Sequence, residues 1–251
     1  MIRETMLGVL FAMVAVTATA APAEKPVSIV LVHGAFVDAS GWKPVYDVLT
    51  RDGYDVLVVQ NPTITLDGDV EATRRAIAEA KHPVLLVGHS YGGAVITLAG
   101  TDPKVRRLAY IAAFAPDIGE SVLDLASKPV PGEEAPPLLP PSGGFIKVDP
   151  VKFPSAFGPD VEPSLAAFMA ASQVPWGLGA VQPKLDRAAW RDKPASYLLT
   201  KQDRMVSPTG QRMMAMRAKA KLTEVESSHA VMLSHPDKVV AFIESAAGET
   251  H

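Results

Sequence analysis

The chain contains no cysteine, so it can form no disulfide and carry no lipid-anchored cysteine. Its histidines and carboxylates show no cluster at ligand spacing, so neither a metal nor another cofactor is expected. Long apolar runs are missing as well. The most apolar stretch, Met6 to Val16, spans about a dozen residues, short of the roughly twenty that cross a bilayer. No charge excess of one sign exists, since 24 Lys and Arg stand against 27 Asp and Glu for a formal net charge of -3. That balance argues against a nucleic-acid partner. The one basic cluster, Arg212, Arg217, Lys219 and Lys221, reads as the solvated face of a helix and its exit.

What is present is enough for one sizeable core: 251 residues, 48% of them hydrophobic, too few for two independent enzymatic domains. The first twenty residues run from Arg3 through Met6–Val16 to Ala18-Thr19-Ala20, the charge, core and small-residue order of a signal peptide. Cleavage is expected after Ala20, leaving no stable membrane anchor and a protein exported to the periplasm or beyond. Losing Arg3 and Glu4 removes one charge of each sign and leaves the net charge unchanged.

In the remaining chain, 21–251, short apolar runs alternate with segments of helical period, the pattern of a parallel sheet with helices on both faces. Strands are expected at Val27–Val32, Tyr54–Gln60, Val84–Val87, Leu108–Ala112, Ser196–Thr200 and Leu222–Val225. Their Val, Ile and Leu content without alternation suits strands buried on both faces. Helices are expected at Trp42–Thr50, Asp69–Ala80, Ala94–Gly100, Thr209–Ala218 and Pro236–Ala247, the last opened by a capping box of Ser234 and Asp237. The rhythm breaks between about 117 and 192, where most of the prolines lie and one helix, near Ser164–Ala171, stands out. A structureless insertion of that length is expected to be a functional cap. Its apolar residues are expected either to line a pocket or to form the cap's own small core. Phe145, Phe168 and Trp176, with Phe36 from the first loop, are the pocket candidates.

The chemistry centres on Gly88-His89-Ser90-Tyr91-Gly92, a G-x-S-x-G elbow. Chance alone would supply the bare pattern about 0.1 times in a chain this long, so its context decides. Pro83–Val87 reads as a strand and Ala94–Ala99 as a helix, which puts Ser90 at a strand-to-helix turn. A serine hydroxyl needs a base, and the base needs an orienting acid. In the order nucleophile, acid, histidine, Asp203 follows the strand ending at Thr200, and His229 follows the strand ending at Val225. His82 and His235 sit at the wrong places, His251 is the terminus, and His89 points elsewhere on the turn. Asp117 is the rival acid, while Asp186 and Asp192 lie within the cap and are expected to cap turns or sit in water. The turn His33-Gly34-Ala35-Phe36 faces the same sheet edge, so the Ala35 and Tyr91 amides are expected to form the oxyanion hole. His33 is expected to tie this loop down.

These residues resemble the α/β-hydrolase superfamily along the whole mature length, and within it a bacterial group in the esterase and hydroxynitrile-lyase branch. The resemblance rests on Leu31-Val32-His33-Gly34-Ala35-Phe36, Gly88–Gly93, Asp203 and Ser228-His229, and it implies the core sheet, the triad, and ester or amide cleavage. Lyase members carry threonine after the first-loop histidine and lysine after the catalytic one, where this chain has Gly34 and Ala230. The reading is therefore a serine esterase acting through an acyl-enzyme on a small ester or lactone. The alternatives are a lyase on the same triad and a small-molecule sensor on the same fold.

Overall fold

The computed structural model describes residue 1 and residues 24–248. The expected leader therefore lies, from residue 2 on, outside the described residues, as does His251. All six expected strands form, and they make one parallel sheet: β1 (Ser28–Val32), β2 (Asp55–Val59), β3 (Val84–His89), β4 (Val105–Ile111), β7 (Ala195–Thr200) and β8 (Lys221–Val225). The strand order is β2-β1-β3-β4-β7-β8. Along β1 and β3 successive residues serve opposite faces, and both faces are apolar, which is why neither strand alternates with polar residues. Ile29, Leu31, Leu85 and Val87 pack with Trp42, Val45, Leu49, Val239 and Ile243. Val30, Val32, Val84 and Leu86 pack with Val70, Ile77, Val95 and Met214 on the other face.

The helices that cover these faces are α1 (Lys43–Arg51) and α10 (Pro236–Gly248) on one side, and α2 (Leu66–Glu79), α3 (Gly92–Ala99) and α8 (Pro208–Arg217) on the other. Their starts carry a clear chemical reason. Thr65 caps α2 by accepting from the Gly68 amide, Ser207 caps α8 through the Gly210 amide, and prolines at the first turns of α1 and α8 cost no intrahelical bond. The capping box expected at Ser234 is not how α10 begins. A short helix, α9 (Val231–Ser234), precedes it, and the Ser234 hydroxyl instead meets Ser227 Oγ at 3.0 Å.

The segment between 117 and 192 is more ordered than its prolines suggest. It holds α4 (Val122–Ala126), a two-stranded antiparallel ribbon of β5 (Phe145–Ile146) and β6 (Trp176–Gly177), α5 (Phe153–Phe157), α6 (Pro163–Ala171) and α7 (Leu178–Val181). Only α6 carried a readable period. The cap touches the core at defined places: the Gly177 amide donates to the Thr63 carbonyl at 2.8 Å, and Val174 bridges to Phe36. A Cβ on Gly177 would stand 2.2 Å from the Ile64 carbonyl oxygen, so only glycine lets the ribbon dock this closely.

Because β1 leads outward to β2 while β3 leads inward to β4, the chain diverges at the carboxyl ends of β1 and β3. That divergence opens the crevice in which doubly wound sheets place their sites. The loops emerging there are His33–Val37 and Ser90–Tyr91.

Candidate active site

Ser90 stands immediately after β3 with φ at +54°, in the left-handed region that a residue with a side chain occupies at a cost. The turn is held by its own backbone: the Ser90 amide donates to the Ile111 carbonyl at 3.2 Å, and the Ser90 carbonyl accepts from Phe114 at 3.0 Å. Glycine at 92 is required by space, since a Cβ there would lie 2.6 Å from the Val32 carbonyl oxygen. The same applies to Gly34, whose added Cβ would stand 2.6 Å from Ser90 Cβ.

The structure brings the three polar side chains singled out in the sequence into one chain of hydrogen bonds. The Ser90 hydroxyl meets His229 Nε2 at 2.9 Å, and His229 Nδ1 meets Asp203 Oδ2 at 2.8 Å. A carboxylate only accepts, so Nδ1 carries the proton and Nε2 is left to accept from the serine. All three are buried. Asp203 is itself fixed: Oδ1 accepts from the Met205 and Val206 amides at 2.7 and 2.9 Å. Oδ2 accepts in addition from Thr200 Oγ1 and Gln211 Nε2, both at 2.9 Å. Its rival Asp117 is engaged elsewhere, in a two-point pair with Arg191 at 2.8 Å for each bond. The Arg191 hydrogen bonds hold the Asp117 carboxyl below the usual carboxylate range.

The other histidines fall into supporting places. His33 Nδ1–H donates to the Gly34 carbonyl at 2.8 Å, and its Nε2 accepts from the Asn61 amide at 2.8 Å, which ties the first loop to the end of β2. Burial pushes His33 toward the neutral form that this pattern requires. His89 is buried, and Nε2–H donates to the His229 carbonyl at 2.9 Å. Burial and the nearby His229 push its pKa well below the ordinary value, so it holds the loop without adding charge.

Tyr91 follows Ser90 directly and Ala35 follows Gly34, which packs against Ser90, and among the described residues no protein acceptor receives either amide. Tyr91 is anchored through its side chain, whose hydroxyl donates to Asp69 at 2.5 Å, while the other Asp69 oxygen accepts from the Thr63 amide. Burial raises the Asp69 pKa despite these bonds.

The four pocket candidates separate. Phe36 and Trp176 are buried and meet edge to face at 5.6 Å, with Trp176 also 5.2 Å from the Tyr91 ring. Together they wall the elbow. Phe145 is half-buried in β5, opposite Gly177. Phe168 does not line a pocket: it is 65% exposed on the outer face of α6, whose inner face is taken by Ala166 and Ala170. The large cavity, about 550 Å³, lies on the Asp203 side and is lined by none of these four. Its walls include Phe114, Leu125, Val130, Met205, Val206 and Met213, with Lys128, Glu133, Glu134, Asp203, Arg204 and Arg217 as charged members. Phe114 borders both the cavity and Ser90. Sequence reasoning missed this cavity because its walls come from an irregular loop and from a helix face read as solvated. Gln211, Asp69 and Asn61 were missed too, since single polar residues in those positions carry no pattern.

Among the described residues no group of three or more histidines, aspartates or glutamates stands close enough to hold a metal, and no helix is long and apolar enough to cross a membrane.

Comparison with known proteins bears on the same fold. Residues 29–242 match the model of the alpha/beta hydrolase family. The chain belongs to that family. Among related proteins, an alpha/beta hydrolase of Aspergillus novofumigatus, nvfD, is 29% identical over 245 residues, covering 88% of this chain and 97% of its own. A carbendazim-hydrolysing esterase of Nocardioides is 34% identical over 130 residues, covering 46% of this chain and 52% of that protein. Among solved structures, an extracellular alpha/beta hydrolase from Paenibacillus aligns with TM-score 0.74 at 20% identity, covering 89% of this chain and all of that one. A pyrethroid hydrolase from Sphingobium faniae aligns with TM-score 0.73 at 21% identity, covering 88% and 97%. These last two likenesses speak to the fold: a six-stranded parallel sheet of the alpha/beta hydrolase type.

Proposed function

We propose that this protein is a serine carboxylic-ester hydrolase in which Ser90 attacks the ester carbonyl, His229 takes the serine proton and Asp203 holds the imidazole. The observation that carries this reading is the continuous hydrogen-bonded line Asp203–His229–Ser90 at the switch point of the sheet. In the first step the Ser90 oxygen bonds to the carbonyl carbon, and the carbonyl oxygen takes the negative charge between the Ala35 and Tyr91 amides. His229 then returns the proton to the departing alcohol, leaving an acyl-serine that a water, activated by the same histidine, hydrolyses. No step needs a metal or cofactor.

The 550 Å³ cavity, which meets the site at Asp203 and Phe114 and is not lined by Ser90 or His229, is of the size that accepts a drug-sized organic group, and its apolar stretches of wall suit an aryl or branched alkyl part of the ester. Two relatives named for the hydrolysis of carbendazim and of pyrethroids agree with a substrate of that kind. A lyase reading is weaker here. The threonine that lyase members carry in the first loop would fall at Gly34, where even a Cβ meets Ser90, and Ala230 provides no charge after the histidine. The intact triad likewise counts against a non-catalytic sensor.

The test is covalent labelling with an organophosphonate, read by mass on the Ser90 peptide, together with turnover of a series of chromogenic esters of growing acyl and alcohol size. Labelling at Ser90 and turnover that rises with size and then stops at the cavity's limit are expected. Absence of both in folded protein would remove the reading.

A further inference from the structure

The core fixes the His229 ring through Asp203 and its carbonyl through His89, while the amides on either side of the histidine are held by the cap. Past the end of β8 the chain runs irregularly through Glu226–Ala230, so its amides need partners from elsewhere. The Ser228 amide donates to Asp160 Oδ2 at 3.0 Å, and the Ala230 amide donates to the Phe157 carbonyl at 3.0 Å. Asp160 also accepts from Ser227 Oγ at 3.0 Å through Oδ2 and from the Ser228 hydroxyl through Oδ1. The Phe157 ring stands edge-on to the His229 ring at 4.8 Å. Contact is close enough that a Cβ on Gly158 would lie 3.2 Å from the Ala230 Cβ.

We propose that Asp160 is a positioning residue for His229: this cap carboxylate clamps the peptide ahead of the histidine and so sets the distance from its Nε2 to the Ser90 oxygen. The proposal rests on the hydrolase reading above. A carboxylate suits the place because three donors converge there, and two oxygens without a hydrogen of their own can receive all of them. Asparagine offers one oxygen, and alanine none. No lysine or arginine pairs with Asp160 among the described residues. Its titratable neighbour is His235, with Nδ1 3.7 Å away, and its remaining partners are hydroxyls and an amide. The carboxylate therefore serves as an acceptor hub rather than as half of an ion pair with a permanent cation. Burial opposes its charge, yet the hydrogen bonds from Ser228 and Ser227 outweigh that and keep the carboxyl below the usual range.

The consequence is that the cap is part of the histidine's mounting. Misplacing a catalytic group by about 1 Å costs up to about a hundredfold in rate, and the loss falls on the chemical step rather than on substrate binding. The experiment compares the full-length wild type with D160A, D160N and S228A, each assayed well below its own melting temperature. Two rates are read: kcat and KM on a chromogenic ester, and the rate of phosphonylation of Ser90. For D160A, kcat and phosphonylation are expected to fall together by about ten- to a hundredfold while KM stays within about twofold. D160N, with one acceptor oxygen left, should recover part of the loss, and S228A, which keeps the amide bond to Asp160, should lose less than D160A. E162A, which weakens the cap of α6 two residues away without touching the histidine loop, should leave both rates unchanged. If D160A does not fold, D160N and S228A carry the comparison. Variants at 160 with wild-type kcat and phosphonylation overturn the proposal while leaving the hydrolase reading intact. A wild type that takes no label removes both.

Discussion

The core edge and the cap divide the work of this site in opposite ways. From the core come the three side chains of the hydrogen-bonded line, each within a few residues of the carboxyl end of a parallel strand. From the cap comes no group in the hydrogen-bonded triad, but its segments hold the loops on both sides of it. Asp160 and Phe157 grip the histidine loop, and Trp176 and Gly177 rest on the elbow and on the Thr63 turn. The three polar side chains sit on short loops just past regular strands, and the parts that hold those loops come from the less regular cap. Substitutions should therefore separate into those that remove chemistry and those that loosen or leave it.

The largest effect is expected at Ser90. S90A should lower kcat by at least about 10⁴-fold with unchanged circular dichroism and melting temperature, because a single hydroxyl is removed. Any variant retaining a few per cent of the activity would break the division at its centre. Next comes the acid. D203N should cost about 10³- to 10⁴-fold in kcat, because an amide in that place favours the wrong tautomer of His229. D117N, bound to Arg191 at a distance from the histidine, should leave kcat within about twofold. The reverse ranking would move the acid to the cap boundary.

Smaller in rate but large in stability is W176A. Removing a buried indole should cost about 3–5 kcal/mol by denaturant titration, with a modest loss of activity from the slackened elbow. F168A, on the exposed face of α6, should change both by little, on the order of 0.5 kcal/mol or less in stability. The smallest effect belongs to the Asp117–Arg191 pair. Because the folded Asp117 pKa is depressed, its stabilisation is present above the ordinary aspartate range and is lost as the pH falls through the lower folded value. The difference in stability between wild type and D117N should therefore be under about 1 kcal/mol at neutral pH and vanish in acid.

Much of this architecture could be read in one dimension because it rests on local regularities. Six apolar runs became six parallel strands, five segments read as helices became α1, α2, α3, α8 and α10, and G-x-S-x-G between a strand and a helix put Ser90 at its turn. His229 followed from chain order, and Asp203 with Asp117 left as its rival, since parallel strands deliver their carboxyl ends to one edge. What could not be read depended on pairings between distant segments. The cap's ribbon joins residues thirty positions apart through two short strands, too brief to show a period. The 550 Å³ cavity appears only when the loop around Val130 lies over Met205 and Met213 of a different element. Phe168, counted with the pocket for being aromatic, turned outward because alanines occupy the inner face of its helix.

The sequence by itself thus determined the sheet, the helices that cover it and the placing of Ser90 and His229 at its edge, with Asp203 preferred to Asp117 as the acid. Their local backbone preferences and strand order leave little choice. The tertiary structure alone decided where the cavity opens, which carboxylate meets His229 and what holds the histidine loop. Asp160 illustrates the reason: it is one aspartate in a proline-rich stretch, with no partner within sixty residues of chain on the side that matters. Only the folded cap sets it against Ser227 and Ser228, and a contact between positions 68 residues apart leaves no trace in the pattern of either segment.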